Sequence, residues 1–332
     1  PYDMAARVLG PLMPSNIRTL AGDAALSMSE LALSLCGTAN GVSALHGEVA
    51  RDMFPGRGIG HITNGVHHHT WVSAPLGTLF DRALPGWRSD PRILARAGGL
   101  PEAGLWDAHS QAKETLLRFM NAETGQGYAP AVLTLGFARR AAAYKRAALL
   151  FRDIERLTRI CQGKVQFVFA GKAHPRDEAG HRLIQTIVQA GHTLGGKVRV
   201  GYVSNYTMWT GALITAGVDV WLNTPLRPHE ASGTSGMKAA LNGVPSASIA
   251  DGWWAEGARD NENGWVIGSP ERCDDEADAE SLYRTLEERV IPTYYDNRSR
   301  WVGLMQQAIV TGADFTADRM VREYHSKYYS TL

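Results

Sequence analysis

The sequence predicts an α/β fold built on a doubly wound parallel sheet, and three observations carry that expectation. From Ala131 onward, short apolar runs alternate with helix-patterned stretches. The runs at 131–137, 165–170, 198–203, 218–222 and 244–250 are continuous rather than alternating, as in strands buried on both faces. Between them lie helical patterns at 142–161, 178–190, 206–216 and 235–241, which supply crossovers between parallel strands. A chain of 332 residues is long enough for two domains, or for one large α/β domain with a sizeable core.

In chain order, residues 1–72 read as a mostly helical segment. Ser29–Leu35 has helical apolar spacing, Asn40-Gly41 interrupts it, and Val42–Phe54 resumes the pattern until Pro55-Gly56. His61–Trp71 is polar, with Asn64-Gly65 as its turn signal. Its three adjacent histidines, His67–His69, raise a metal reading, but neighbouring side chains seldom converge on one ion. No second ligand cluster accompanies them, so no metal is expected. Residues 73–130 are a Pro/Gly-punctuated connector followed by a helix over 102–122, and residues 131–270 form the α/β core. In the closing segment, 271–332, an acidic stretch at 271–288 reads as a solvated helix with its preceding loop. Helices are expected again at 297–310 and 317–329.

Bulk composition narrows the function classes. Lys plus Arg is 34 and Asp plus Glu is 33, so no nucleic-acid partner is expected. Three widely spaced cysteines, without C-x-x-C, disfavour a disulfide framework and fit a reducing, cytoplasmic compartment. No apolar stretch reaches membrane-spanning length, and no signal peptide is evident. A start at Pro1 is read as a processed, incompletely covered or fragmentary chain.

Two stretches carry chemistry. His229–Gly243 (H-E-A-S-G-T-S-G-M-K-A-A-L-N-G) runs from a turn of small residues into a helix stopped by Asn242-Gly243. Small residues at a helix start leave convergent backbone N–H groups with the positive end of the helix dipole behind them, which suits an anion. Lys238, in the first turns, is oddly placed there unless something negative or covalent accompanies it. The bland alternative is a tight turn with a surface lysine. The second stretch, Gly136–Arg146 (G-F-A-R-R-A-A-A-Y-K-R), puts Arg139, Arg140, Lys145 and Arg146 at the end of the first core strand, with no acid before Asp153. A solvated basic face would account for it; but both stretches fall at the carboxyl edge of a doubly wound sheet, where ligands bind. Together they favour a phosphate-handling crevice. Neither the P-loop nor the dinucleotide-binding glycine pattern is present.

The segment E-A-S-G-T-S-G-M-K-A-A-L-N-G closely resembles the pyridoxal-phosphate segment of the α-glucan phosphorylases (glycogen, starch and maltodextrin phosphorylases). Further matches occur in order: N-G-V-S-A-L-H-G-E-V at 40–49, T-N-G-V…W at 63–71, R-R-A-A-A-Y-K at 139–145, A-G-K-A-H-P at 170–175, N-E-N-G-W at 261–265 and F-T-A-D-R-M-V-R-E-Y at 315–324. W-L-N-T-P before the central motif and D-G-W-W-A-E-G after it resemble the bacterial or archaeal branch most. The resemblance covers essentially the whole chain. It implies the carboxyl-terminal, Rossmann-like lobe of a two-lobed glycosyltransferase architecture (GT-B), with residues 1–72 as the approach from an amino-terminal lobe that this sequence lacks.

The resemblance also implies roles. Lys238 matches the lysine that holds pyridoxal 5′-phosphate as a Schiff base, and the cofactor's phosphate exchanges a proton with substrate phosphate. Thr234, Ser235 and Arg139 fall at cofactor-contacting positions, and Trp71 and Tyr206 match aromatics beside its ring. Arg140 and Lys145 match the pair that binds substrate phosphate. Glu230, Ser232 and Gly233 match residues gripping glucose hydroxyls, and Asn64 matches a further sugar contact. Two departures stand out: Thr207 occupies a position where many relatives carry arginine, and Arg139 stands where many have lysine.

The implied reaction is the reversible phosphorolysis of α-1,4-glucan to glucose 1-phosphate, with retained configuration. Its partners are inorganic phosphate, glucose 1-phosphate, the glucan and the missing lobe; a homo-oligomer is compatible with the family. Without that lobe the chain is expected to have little activity. Two other readings stay open. One is a nucleotide-sugar glucosyltransferase resembling glycogen synthase, in which a second glutamate follows the first after eight positions; here Lys238 stands at that spacing from Glu230. The other is a non-catalytic fragment that binds cofactor or carbohydrate.

Overall fold

The structure, a computed structural model, describes residues 1–330. Four helices open the chain: α1 (Tyr2–Leu9), α2 (Ile17–Ala21), α3 (Met28–Leu35) and α4 (Ala44–Met53). Ser27 and Ser43 cap the last two, each side chain accepting a backbone N–H three residues on. Two three-residue strands, β1 (Ala39–Gly41) and β2 (Ile59–His61), bracket α4 and pair in parallel. Asn40-Gly41 is therefore a strand as well as a break. Three residues are too few to show periodicity, which hid it in the sequence.

A short helical turn, α5 (His68–Trp71), leads into α6 (Ala74–Ala83), a 3₁₀ run at Pro91–Gly99 and the long α7 (Glu102–Thr124). Gly125, left-handed at φ 64°, ends α7. The main sheet follows: β3 (Leu133–Ala138), β4 (Val165–Ala170), β5 (Arg199–Val203), β6 (Val220–Asn223), β7 (Ser246–Ile249) and β8 (Gly264–Ile267). All neighbours pair in parallel, in the order β5-β4-β3-β6-β7-β8. The order reverses between β3 and β6, so the loops leaving these two strands diverge and open a crevice. β3 and β4 are buried at every position, as their continuous apolar runs require.

The crossovers are α8 (Ile154–Cys161), α9 (Glu178–Leu194), α10 (Met208–Gly217), α11 (Thr234–Leu241) and the short α12 (Trp254–Gly257). The five expected strands are present. β8 is an additional strand: its apolar run is only Trp265–Ile267, whereas β6 and β7 fall on the longer runs at 218–222 and 244–250.

The helix expected over 142–161 is absent in its first half. Only 3₁₀ turns form at Ala143–Lys145 and Leu149–Phe151, before Asp153 caps α8. Arg146 breaks the run by taking the left-handed conformation, φ 46°. Its buried guanidinium donates to the carbonyls of Thr224 (2.9 Å) and Pro225 (2.8 Å) and to the carboxylates of Asp278 (2.6 Å) and Asp275 (3.1 Å). Those charge-assisted bonds offset the strain.

The closing helices are α13 (Asp275–Thr285), α14 (Ile291–Asp296), α15 (Arg298–Asp314) and α16 (Ala317–Tyr324). Wider π turns at Leu286–Val290 and His325–Tyr329 extend α13 and α16. The acidic helix is not simply solvated: Asp278, Ala279, Leu282 and Tyr283 of α13 are buried. α15 packs on the 3₁₀ run at Pro91–Gly99 and on α11, with Trp301 and Met305 buried. Among the described residues, no helix is long and apolar enough to cross a membrane.

Candidate functional site

The turn entering α11 is built on its neighbours beyond β7. The carboxylate of Asp251 accepts the backbone N–H of Glu230 (2.9 Å) and of Gly252 (2.8 Å), and Trp253 N–H donates to the Ser232 carbonyl (2.8 Å). Burial pushes the Asp251 carboxyl up, partly opposed by those two N–H donors. A Cβ on Gly252 would lie 2.4 Å from the Ser232 oxygen, and one on Gly236 would lie 2.8 Å from the Trp253 indole nitrogen. The turn thus lies flat on Trp253 only because both positions are glycine. Gly233, left-handed at φ 81°, is the N-cap of α11 and carries no capping side chain. The first turn of the helix is left for an incoming group.

The loop after β3 supplies the cations. Arg139 N–H and Ala141 N–H continue the sheet ladder to the carbonyls of Ala170 and Lys172, each at 3.0 Å, which fixes the backbone at the crevice edge. Arg139 Nη2 and Lys145 Nζ both reach the same oxygen of Glu230, at 2.6 and 2.7 Å, and all three side chains are buried. Burial alone would raise the Glu230 carboxyl, but Arg139 and Lys145 outweigh it and hold the group below its ordinary value. Arg140 is exposed at the rim, and among the described residues no carboxylate pairs with it. Arg139, Arg140, Tyr144, Lys145, Tyr206 and the turn Glu230–Ser235 line one open cleft of about 390 Å³. Within this lining, Arg139 Nη1 and Ser232 Oγ are buried without hydrogen-bond partners. A buried donor left open beside a helix N-terminus fits an anionic group.

Lys238 lies one turn along α11 from Thr234. Its Nζ sits 3.8 Å from the centre of the Trp71 ring, and burial draws its ammonium below the ordinary lysine value. Tyr206 packs over Gly211, where a Cβ would meet its hydroxyl at 2.9 Å; burial raises its phenol, against the pull of Arg139. A half-buried amine with no hydrogen-bond partner among the described residues, an aromatic face supplied by α5 and an anion-ready turn on the amine's own helix fit a phosphate-bearing aldehyde such as pyridoxal phosphate.

Of the twelve residues to which the resemblance gives roles, nine line this cleft; Lys238 stands one turn further along α11, and Trp71, against its amine, lines a separate pocket with Val72, Trp209 and Leu213. Asn64 does not line the cleft. Its backbone N–H donates to Val42 (3.0 Å) and its carbonyl accepts from Arg319 (3.0 Å). Arg146 also leaves the crevice, pinned instead to Asp278, so the expected group of four cations is three. His68 and His69 contact the same Arg88 carbonyl, at 3.0 and 2.7 Å. Thr207 caps α10 in a reciprocal capping box with Thr210, which gives it a structural task at the departing position. Asp251, Trp253 and Tyr144 were missed. The D-G-W-W run directly after β7 was the available signal, since it ends a neighbouring strand at the same sheet edge.

A family model described as carbohydrate phosphorylase matches residues 14–268. The maltodextrin phosphorylase of Thermococcus litoralis is 40% identical over 341 residues, covering 92% of this chain and 41% of that protein. The glycogen phosphorylase of Mycobacterium tuberculosis is 38% identical over 373 residues, covering 99% of this chain and 43% of that protein. The glycogen phosphorylase of Aquifex aeolicus is 36% identical, with coverages of 91% and 49%. The chain thus spans less than half the length of each of these relatives.

Proposed function

The chain belongs to the carbohydrate phosphorylase family, and from that premise we propose that it is the carboxyl-terminal catalytic lobe of an α-glucan phosphorylase, completed by an amino-terminal lobe. The observation that carries the reading is the cleft at the β3/β6 switch point. There the buried Arg139–Glu230–Lys145 triad and the free Arg140 face the open first turn of α11, with the desolvated amine of Lys238 one turn on. In this reading residues 1–72 approach from the other lobe, 73–130 connect, 131–270 form the cofactor and phosphate core, and 271–332 close it.

Lys238 would hold pyridoxal phosphate covalently, with Trp71 and Tyr206 flanking it and Thr234, Ser235 and Arg139 at its phosphate end. The bound cofactor would supply a phosphate that gives and takes a proton. Arg140 and Lys145 bind substrate phosphate and stabilise its charge as the glycosidic bond breaks. Glu230, Ser232 and Gly233 take glucose hydroxyls, and Asn64 contacts the sugar once the lobes close. In the free protein Lys145 is spoken for by Glu230. Phosphate arriving at Lys145 leaves Glu230 with Arg139 as its remaining cation partner, which couples the phosphate and sugar positions. Phosphate cleaves the terminal α-1,4 bond, giving glucose 1-phosphate and a glucan shorter by one unit, and the oxygen of the departing chain takes a proton. The cytoplasm is the compartment we assign, from the free cysteines and the intermediary chemistry.

The decisive experiment incubates the chain with maltoheptaose and phosphate, alone and with a separately supplied amino-terminal half of a relative. Glucose 1-phosphate is expected only from the pair. Release by the isolated chain overturns the two-lobe requirement, and absence of release from a stable complex of both halves overturns the catalytic reading.

A further inference from the structure

We propose that Asn242 is a positioning residue for Lys238: it clamps the Trp71 turn onto α11 and so holds the indole over the lysine amine. The proposal rests on the reading of Lys238 as the cofactor lysine. Asn242 follows the last residue of α11 and is buried. Its Nδ2 donates to the Trp71 carbonyl (2.7 Å) and to the Lys238 carbonyl (2.9 Å), and its Oδ1 accepts the Ser73 N–H (2.8 Å). The carboxamide thus uses both donors and its acceptor on three backbone groups. Aspartate has no hydrogens for the two carbonyls, and alanine leaves all three groups unpaired.

The clamp matters because α5, which carries Trp71, has four residues. A single helical turn does not hold itself in water. Asn242 joins it directly to the helix that bears Lys238, and the ring then lies 3.8 Å from Nζ. The indole covers one side of the amine. Burial draws the Lys238 ammonium down, and among the described residues no carboxylate pairs with it. A larger neutral fraction of that amine is available to an aldehyde at neutral pH.

Trace acetylation of the protein across pH 6–11, read at Lys238 by peptide mass spectrometry, measures that amine without any cofactor, with the exposed Lys164 as internal reference. The Lys238 midpoint is expected below that of Lys164. In Asn242→Ala it rises by about one pH unit, a tenfold loss of neutral amine. Ser73→Pro removes only the N–H donated to Oδ1. Ser73 at φ −65° and Val72 at φ −70°, ψ 127° accept proline without strain, so this variant tests the clamp if Asn242→Ala fails to fold. A smaller rise in the same direction is expected from it. A merely structural role would lower the melting temperature and leave the midpoint in place, and an unmoved Lys238 midpoint in either folded variant overturns the proposal. Addition of pyridoxal phosphate to wild type, followed by borohydride, tests the cofactor reading separately. A failed trap with a shifted midpoint removes that reading and leaves the positioning role; a successful trap with no shift does the reverse.

Discussion

Glu230 shows what one side chain does in a crevice that must accept both an anion and a sugar. As the shared counter-ion of Arg139 and Lys145, it offsets one of two positive charges that would otherwise stand buried and uncompensated. Its carboxyl is depressed in the fold, so its stabilisation is present above the ordinary carboxylate value and is lost as pH falls through the lower folded value. Glu230→Gln is therefore expected to cost about 3 kcal/mol at neutral pH. The difference from wild type should close on acidification below the ordinary glutamate range, as urea unfolding over a pH series would reveal. A constant difference across that range would contradict the ion-triad account. Two companion variants separate the neighbouring roles. Lys238→Ala should abolish the borohydride-trapped pyridoxyl mass while preserving the fold. Arg140→Ala, at an exposed side chain with no carboxylate partner among the described residues, should weaken phosphate binding about tenfold by calorimetry without changing the melting temperature.

The segment after β3 looks in sequence like a single basic helix start, and its four cations look equivalent. The fold divides them. Arg139 and Lys145 face Glu230, Arg140 faces solvent at the cleft rim, and Arg146 turns behind the crevice to fasten α13 through Asp278. Arg146→Ala leaves Asp278 buried without its cation and should cost about 3 kcal/mol. Phosphate affinity of the folded fraction is expected to stay within twofold of wild type. A loss of affinity matching that of Arg140→Ala would return Arg146 to the crevice. On the opposite loop, Gly252→Ala forces a Cβ into the left-handed region at φ 55° and to 2.4 Å from the Ser232 oxygen. More than about 1 kcal/mol of destabilisation is expected, together with a lifted turn and a weakened phosphate site.

At the scale of the whole molecule, a buried polar network fastens the edge of the sheet opposite the crevice. Lys113 of α7 bonds Asp219 at 2.5 Å, the Val132 carbonyl at 2.8 Å and Tyr294 of α14 at 3.0 Å. His109 reaches the other Asp219 oxygen at 2.9 Å, and Thr134 N–H donates to Asp219 at 2.7 Å. Burial alone would raise Asp219, but Lys113 and His109 hold it below its ordinary value. The network ties α7, β3, the start of β6 and α14 at a point where no ligand is expected. Asp219→Ala should therefore cost about 3–5 kcal/mol by denaturant unfolding, with the pyridoxyl trap at Lys238 unchanged in the protein that remains folded. Distance is the reason: the network and the crevice sit at opposite ends of the same strands.

The sequence by itself determined the alternation of elements and the chemical menu. Continuous apolar runs such as Val165–Ala170, bounded by turn residues, suit strands covered on both faces, and the glycine-rich turn into α11 suits a group received at a helix start as well as an ordinary tight turn. Those are local properties, set by periodicity and backbone freedom within a dozen residues. Tertiary structure alone decided which groups meet. The pairing of Glu230 with residues 85 and 91 positions earlier in the chain, the departure of Arg146 to α13, the bed that Trp253 and Asp251 make for the turn, and the Asn242 clamp on Trp71 are long-range contacts. No spacing encodes them, because each depends on how crossovers bring distant strand ends to one edge. Short strands such as β1 and β2 were hidden for the same reason: three residues carry almost no pattern, and only a neighbouring strand makes them a sheet.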